Sequence, residues 1–318
     1  MEHLAVTVVR KHREAEGIAS FELARVDGAA LPAFSAGSHI DVQVPGGLTR
    51  QYSLCNDSTE QHRYRIAVLR DAASRGGSAG MHDAVNEGDV IHISEPRNHF
   101  ALAHAKRSLL FAGGIGVTPL LCMAQRLSAI DADFTLHYST RSKERTAFVQ
   151  EIADSAFAGK VRFHFDDGGA AQILNVPAEL GAPDPGTHLY ICGPAGYINH
   201  VLQVAEGMGW PSSHIHLEYF AAAPQDKSSD GGFQVKLAST GKVYEVAKDQ
   251  SVVQALQAQG VEILTSCEQG VCGTCITRVL EGEPEHRDLY FTDEEKAKND
   301  QFTPCCSRAR SKMLVLDL

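Results

Sequence analysis

Apolar and polar residues alternate in short runs over the first third of the chain. Examples are Leu4-Ala5-Val6-Thr7-Val8-Val9 and Tyr64-Arg65-Ile66-Ala67-Val68-Leu69, with Gly, Pro, Asn and Asp turns between such runs. A period of two marks half-buried strands, so residues 1–105 predict a small antiparallel β-barrel. From Ser108 the pattern changes to apolar strand, glycine turn and helix, first at Leu109-Leu110-Phe111-Ala112 followed by Gly113-Gly114-Ile115-Gly116. Strands recur at Phe134–Tyr138 and Leu189–Cys192 with helical periodicity between them, which predicts an α/β doubly wound parallel sheet over 106–222. Residues 223–232 are small, polar and glycine-rich, cannot bury a core, and predict a linker. Beyond them Phe233–Leu237 and Lys242–Val246 alternate like a hairpin, and Ser251–Gln259 reads as a short helix, giving a third domain over 233–318.

Composition bounds this picture without changing it. A chain of 318 residues exceeds one domain of about 100–200 residues, and 43% hydrophobic residues suffice for several cores. No apolar run is long enough to span a bilayer, and the opening residues lack the basic start and apolar core of a signal peptide. A cytoplasmic protein with no membrane role is expected. The formal net charge of −10 offers no basic footprint for nucleic acid.

The cysteines change the picture more. Eight thiols in a reducing compartment point to metal or redox chemistry rather than disulfides. Cys267, Cys272 and Cys275 form C-x4-C-x2-C, with Cys305 and Cys306 downstream, a spacing shared with plant-type 2Fe-2S ferredoxins. Two bridged irons need four thiolates, three from a tight loop and one from a distant strand. Gly270 and Gly273 suit a loop whose amides point at cluster sulfurs. Zinc is the competing reading, but its pairs normally come as two C-x2-4-C knuckles. Adjacent side chains on an extended strand point to opposite faces, so only one of Cys305 and Cys306 can readily ligate, and this physics does not choose between them.

Two further segments carry chemistry. Gly113–Pro119 joins an apolar strand to a helix, where close backbone approach and unpaired helix amides suit a pyrophosphate. Tyr190–Gly196 ends another strand in the same way, and strand C-termini are where such sheets bind ligands. Arg50-Gln51-Tyr52-Ser53 on a strand, with Ser74–Gly80 opening a short helix, supplies an aromatic ring, a hydroxyl and a phosphate-binding cation suited to a flavin. A flavin also supplies a missing link, because nicotinamides exchange electrons in pairs and an iron–sulfur cluster accepts them singly.

Arg50–Ser53, Ser74–Ser78, Gly113–Pro119, Cys192-Gly193-Pro194 and the C-terminal cysteines together resemble the phthalate dioxygenase reductase family, which includes vanillate demethylase reductases. The resemblance covers essentially the whole chain and implies a flavin barrel, an NAD domain and a C-terminal, β-grasp-like ferredoxin domain, in that order. It also implies FMN, NADH and a 2Fe-2S cluster, with electrons delivered to the Rieske centre of a partner oxygenase by an NAD(P)H-dependent oxidoreductase expected to be a monomer. Carried over by position, Arg50, Gln51, Tyr52, Ser53, Ala67, Val68, Leu69, Gly77 and Ser78 would hold FMN. Thr118 and Phe220 would lie at the flavin ring, and Cys192 near the hydride-transfer carbon, these three making the catalytic contacts. Gly114, Gly116, Pro119, Thr140, Arg141, Gly193 and Pro194 would complete the NAD site. In the family the last cluster ligand stands two positions before a Ser-Arg pair, which here selects Cys305, ahead of Ser307-Arg308. One departure is that Leu136–Lys143 carries cations and no acidic residue where the adenosine ribose is expected, so NADPH use stays open beside NADH.

Other features read as structural. His137, His164, His214 and His216 lie in apolar-alternating stretches and are assigned to no metal. Cys55 and Cys122 read as small buried hydrophobes, and Glu285–Asp288 as a solvated or helix-capping cluster, with part of the partner surface as the alternative reading. The competing functions are a non-enzymatic iron–sulfur redox sensor, which the Gly113–Pro119 loop argues against, and a stand-alone diaphorase or quinone reductase.

Overall fold

The computed structural model describes residues 3–221, 228 and 230–318, so most of the expected linker, 223–227 and 229, lies outside the described residues. The chain divides into two units, one ending at Phe220 and one starting at Ala221.

The first unit begins with strands β1 (Leu4–Ala15), β2 (Ile18–Arg25), β3 (His39–Val44), β4 (Leu48–Ser53) and β5 (Tyr64–Leu69), helix α1 (Gly77–Ala84) and strand β6 (Val90–Ile93). The strands form an antiparallel sheet in the order β4-β3-β6-β1-β2-β5. A bridge between Leu54, just past β4, and Ile66 on β5 ties the two outer strands together and closes the barrel. The alternation read from the sequence is what closes it, since Val6, Val8, Phe21, Leu23, Ile40, Val42, Tyr64 and Ile66 all turn inward.

A parallel sheet follows, built from β7 (Arg107–Gly113), α2 (Val117–Ala129), β8 (Asp133–Thr140), α3 (Val149–Asp154), β9 (Val161–Phe165), α4 (Val176–Leu180), β10 (Thr187–Gly193), α5 (Ala195–Gly207) and β11 (Ile215–Tyr219). Its strand order is β11-β10-β7-β8-β9. The chain runs outward one way from β7 through β8 and the other way through β10, so β7 and β10 flank the switch point where such sheets open a crevice. Leu120, Leu121 and Tyr138 fill one face, and Phe111, Ile191 and Val201 the other.

The second unit contains β12 (Phe233–Leu237), β13 (Val243–Val246), α6 (Val252–Gln257), β14 (Thr277–Glu281), β15 (Pro284–Glu285), α7 (Asp293–Lys296), β16 (Gln301–Phe302), β17 (Arg308–Ala309) and β18 (Met313–Leu316). Its main sheet runs β13-β12-β18-β14-β16, with β12 and β18 parallel. Ser251 caps α6, its hydroxyl accepting from the Gln254 amide at 3.2 Å, and α6 buries Val252, Val253 and Leu256 in the unit's core. The hairpin and helix anticipated for this segment are present.

Candidate functional site

Three cysteines lie in the loop before β14 and the fourth in the turn between β16 and β17. The Cys267 thiol is in hydrogen-bonding contact with those of Cys272 and Cys305, and Cys305 also meets Cys275. Those sulfur contacts, with the backbone amides of Gln269 and Val271, hold Cys267 below the ordinary thiol range. The Thr274 amide donates to the Cys272 sulfur at 3.4 Å. Gly270 and Gly273 adopt φ +74° and +70°, and a Cβ on either would collide with the Cys306 sulfur or the Tyr290 ring respectively. Four thiols with amides aimed at them are the donor set of a 2Fe-2S cluster. Among the described residues no three His, Cys, Asp or Glu side chains are gathered to hold a single metal ion; a two-iron cluster instead spreads its four ligands over two metals.

Cys306 lies beside Cys305 at the edge of this group. Its sulfur lies 3.3 Å from Thr303 Oγ1 and 3.8 Å from Ser307 Oγ. It also meets the Cys305 thiol and the Gly270 backbone of the cluster loop, because the two cysteines share a turn and not the extended strand on which neighbours point to opposite faces. The Glu285–Asp288 cluster is not a solvated surface. The Arg287 guanidinium grips Asp230 through bonds of 2.6 and 3.0 Å, and the buried Asp288 carboxylate accepts the amides of Tyr290 and Phe291 at 3.2 and 2.9 Å. Isolated charges cannot stay buried unpaired, so this run serves as an internal anchor behind the cluster loop.

In the first unit, β4 presents Arg50, Gln51, Tyr52 and Ser53 beside β5, which carries Ala67, Val68 and Leu69. The amide nitrogen of Gln51 is buried without a hydrogen-bond partner in the protein, a donor waiting for an acceptor. Arg50 folds over Gly77 so closely that a Cβ there would lie 2.7 Å from the guanidinium Nε. Gly77 opens α1 with no side-chain cap, so the helix N-terminus and Arg50 together fit a phosphate. Ser78 supports this turn, its hydroxyl accepting from the Asp71 amide at 3.1 Å. Leu69 and Phe220 leave 42% and 38% of their surfaces exposed, apolar area that a flavin ring would cover. These features fit FMN.

The nucleotide crevice is set by close approach. A Cβ at Gly116 would overlap the Cys192 carbonyl, and one at Gly193 would meet the Gly113 backbone, so side chains here would push β7 and β10 apart. Thr118 is buried, its hydroxyl donating to the Ile115 carbonyl at 3.1 Å, and Pro119 continues α2 beside it. Thr140 spends its hydroxyl on Thr146 Oγ1, 2.7 Å away, and on the Ser142 carbonyl, while Arg141 is exposed at the end of β8. Cys192 is fully buried at the end of β10 and Pro194 starts α5.

Two residues stood outside the sequence reading. Glu218, on β11 two positions before Phe220, accepts a hydrogen bond from Ser53, and the Cys192 sulfur lies 3.9 Å from its Oε2. Loss of solvation pushes its carboxyl up to about 8, and burial raises the Cys192 thiol well above its ordinary value. The seam where the barrel meets the parallel sheet therefore holds a hydroxyl, a thiol and a protonated acid, all neutral at pH 7. Asp166, just past β9, is the second. Its amide donates to the Thr140 carbonyl at 3.0 Å, and the Tyr197 phenol, raised chiefly by burial, also feels the Asp166 charge. The acidic group missing from the end of β8 thus arrives from the neighbouring strand. No signal in the sequence joins Glu218 to Ser53 and Cys192, whereas the Asp166-Asp167-Gly168-Gly169 run after an apolar strand was a visible cue.

The histidines pair with one another, His137 Nδ1 lying 3.2 Å from His164 Nε2 and His188 Nδ1 2.8 Å from His216 Nε2. Cys55 and Cys122 are fully buried. No helix among the described residues is long and apolar enough to cross a membrane.

Comparison with known proteins agrees with this geometry. Residues 235–310 match the family model of a 2Fe-2S iron-sulfur cluster binding domain. The chain is 56% identical over 305 residues, 96% of each chain, to a vanillate O-demethylase oxidoreductase of Pseudomonas sp. (strain HR199 / DSM 7063). Among solved structures it matches phthalate dioxygenase reductase, described as modular for electron transfer from pyridine nucleotides to 2Fe-2S. That match has a TM-score of 0.79 and 40% identity, over 99% of this chain and 98% of that one. A type IV self-sufficient cytochrome P450 monooxygenase matches with TM-score 0.85 and 37% identity, 99% of this chain covering 41% of that protein.

Proposed function

The chain belongs to the family of the vanillate O-demethylase oxidoreductases and phthalate dioxygenase reductases, and on that premise we propose that it takes hydride from NADH and passes single electrons to the Rieske centre of a separate oxygenase. The observation that carries this reading is the meeting of three chain segments in one crevice: Ser53 from the flavin strand, Cys192 from the nucleotide strand and Glu218. When bound, FMN supplies the conversion of a two-electron donor into one-electron output, and the 2Fe-2S cluster carries the single electrons onward.

This chain's own residues do the rest. Arg50 and the α1 N-terminus would hold the FMN phosphate, Gln51 would donate its buried amide, and Tyr52, Ala67, Leu69 and Phe220 would border the ring, whereas the Val68 side chain turns into the barrel core and leaves only its backbone on the flavin side. Gly114 and Gly116, with Gly193 and Pro194, admit the nicotinamide dinucleotide close to Cys192 and Thr118. Ser53, Cys192 and Glu218 keep the meeting point free of net charge below about pH 8, with Glu218 holding a proton at its carboxyl. Asp166 and Arg141 border the adenosine ribose, and the Asp166 carboxylate favours the 2′-hydroxyl of NADH over a 2′-phosphate. Cys267, Cys272, Cys275 and Cys305 ligate the cluster. The chain is organised as barrel 1–105, nucleotide domain 106–222, linker 223–232 and ferredoxin domain 233–318, and works as a cytoplasmic monomer, a compartment that keeps these thiols reduced.

The test is an absorption spectrum of the aerobically purified protein before and after anaerobic addition of NADH, with released flavin identified and iron counted. Bleaching of flavin and iron–sulfur bands, with FMN and two irons per chain, is the expected result. A cluster that NADH cannot bleach would sink the reading.

A further inference from the structure

We propose that Arg65 is a positioning residue for hydride transfer, clasped by Glu151 and Phe148 so that the flavin strand and the nucleotide sheet meet at one fixed distance. The inference rests on the reductase reading and adds a device that the crevice residues do not contain.

Arg65 lies on β5, two residues before Ala67, and is 8% exposed. Its guanidinium makes two bonds of 2.7 Å to the Glu151 carboxylate on α3 and a third, of 3.1 Å, to the Cys55 carbonyl. Its plane also sits 5.1 Å from the centroid of the buried Phe148 ring. Gln125 on α2 donates to the same carboxylate at 3.3 Å. The clasp therefore joins the strand lining the flavin, the Ser53-Leu54-Cys55 run that closes the barrel, and the two helices that follow β7 and β8.

Two observations separate this from an ordinary ion pair. The surfaces around it are apolar, with Ile18, Ala36, Cys55 and Ala67 packed in one cluster with Leu120, Leu121 and Phe148. Apolar contact is non-directional and tolerates sliding, whereas a bidentate arginine–carboxylate pair fixes angle and separation. Shielded pairs add little net stability, so their better-attested use is registry. Phe148 also caps α3 with φ 60°, a conformation that a bulky residue adopts only when its surroundings force it and that collects at functional sites. That backbone turn is what presents both the Phe148 ring and the Glu151 carboxylate to Arg65.

The experiment uses the holoprotein and two variants. Arg65→Lys keeps the charge and loses the fork, and Glu151→Gln keeps the shape and loses the charge. Flavin bleaching at saturating NADH is followed by stopped flow with protiated and deuterated donor, alongside NADH affinity and amide hydrogen exchange without nucleotide. Both variants should bleach about tenfold more slowly, since small misplacements of reacting groups are costly. The isotope effect should rise, NADH affinity should change by less than about twofold, and exchange should quicken in 64–69 and 149–154 while the remaining strands keep their protection. Wild-type rates and isotope effects in both variants would overturn the proposal, as would uniformly faster exchange with the rate preserved. If the unaltered protein is itself not bleached by NADH, the reductase reading fails first and the positioning role with it.

Discussion

The two redox regions of this molecule are built on opposite plans. The cluster loop of the second unit is local: three cysteines within nine positions, amides aimed at sulfur, and two glycines in left-handed backbone. The crevice of the first unit is assembled from the ends of β4, β10 and β11, and it places a buried thiol, a hydroxyl and a carboxyl that keeps its proton to about pH 8. The contrast follows from what each site handles. A one-electron relay needs rigid ligands and fixed dipoles, while hydride exchange must bring two large cofactors together in a seam without stray charge and with a proton at hand.

The sharpest way to break the comparison is to remove one ligand. Cys267→Ser should abolish iron binding and reduce NADH-dependent cytochrome c reduction to background, while NADH still bleaches the flavin. Cys306→Ser should keep both irons, because the family pattern assigns the fourth ligand to Cys305, two positions before Ser307-Arg308, while the Cys306 sulfur bonds Thr303 and Ser307. Iron counting and the two assays decide it. A Cys306→Ser protein without iron would exchange the roles assigned to the two neighbours.

In the crevice the comparable lesion is steric. Gly116→Val would drive side-chain atoms into the Cys192 carbonyl and force β7 from β10. Flavin reduction by NADH should fall about 10²-fold, with the chain destabilised by about 1–3 kcal/mol. Direct reduction by dithionite should still load the cluster, because nothing in the second unit is touched. Stopped-flow bleaching with each reductant separates the two regions.

These outcomes also bear on what the chain revealed before folding. Three of the cluster's four cysteines were legible because they are neighbours whose spacing specifies a loop, whereas the choice of Cys305 over Cys306 came from the family resemblance. The barrel and parallel sheet were legible because burial imposes periods on sequence. Glu218 was not, since its neighbours Ser53 and Cys192 lie 165 and 26 positions away, and a lone Glu in the run His216-Leu217-Glu218-Tyr219 reads as a solvent-facing strand residue. Arg65 and Glu151 were hidden likewise, appearing as ordinary surface charges until α3 packed on the barrel. Residues 285–288 looked like a surface for the same reason.

Glu218→Gln should show the proton-holding role at smaller amplitude. In the unfolded chain this carboxyl ionises near 4.5, and in the folded chain it keeps its proton to about 8. Between those values the folded state binds more protons. Its contribution is therefore full below about pH 4.5 and declines as pH rises toward 8. Thermal unfolding from pH 5 to 8 should show this decline in the parent chain and a flatter profile in the glutamine variant. Flavin reduction should fall about tenfold at pH 7 and lose any limb near pH 8. Identical profiles would place the proton elsewhere.

The smallest effect expected is at Asp166. The residue is exposed, so its carboxylate repels a 2′-phosphate through solvent, where a charge pair carries about 0.2–1 kcal/mol, a few-fold in affinity. Asp166→Ser should raise kcat/KM for NADPH relative to NADH about fivefold at low salt. The gain should shrink at high ionic strength as screening removes the repulsion from the parent protein. Arg141 beside the same ribose then supplies the counter-charge that the new substrate needs, so Asp166→Ser with Arg141→Ala should lose most of what the single variant gained. An unchanged ratio in Asp166→Ser would mean that the acid contributed by β9 lies outside the ribose site, leaving nucleotide choice to the cations at the end of β8.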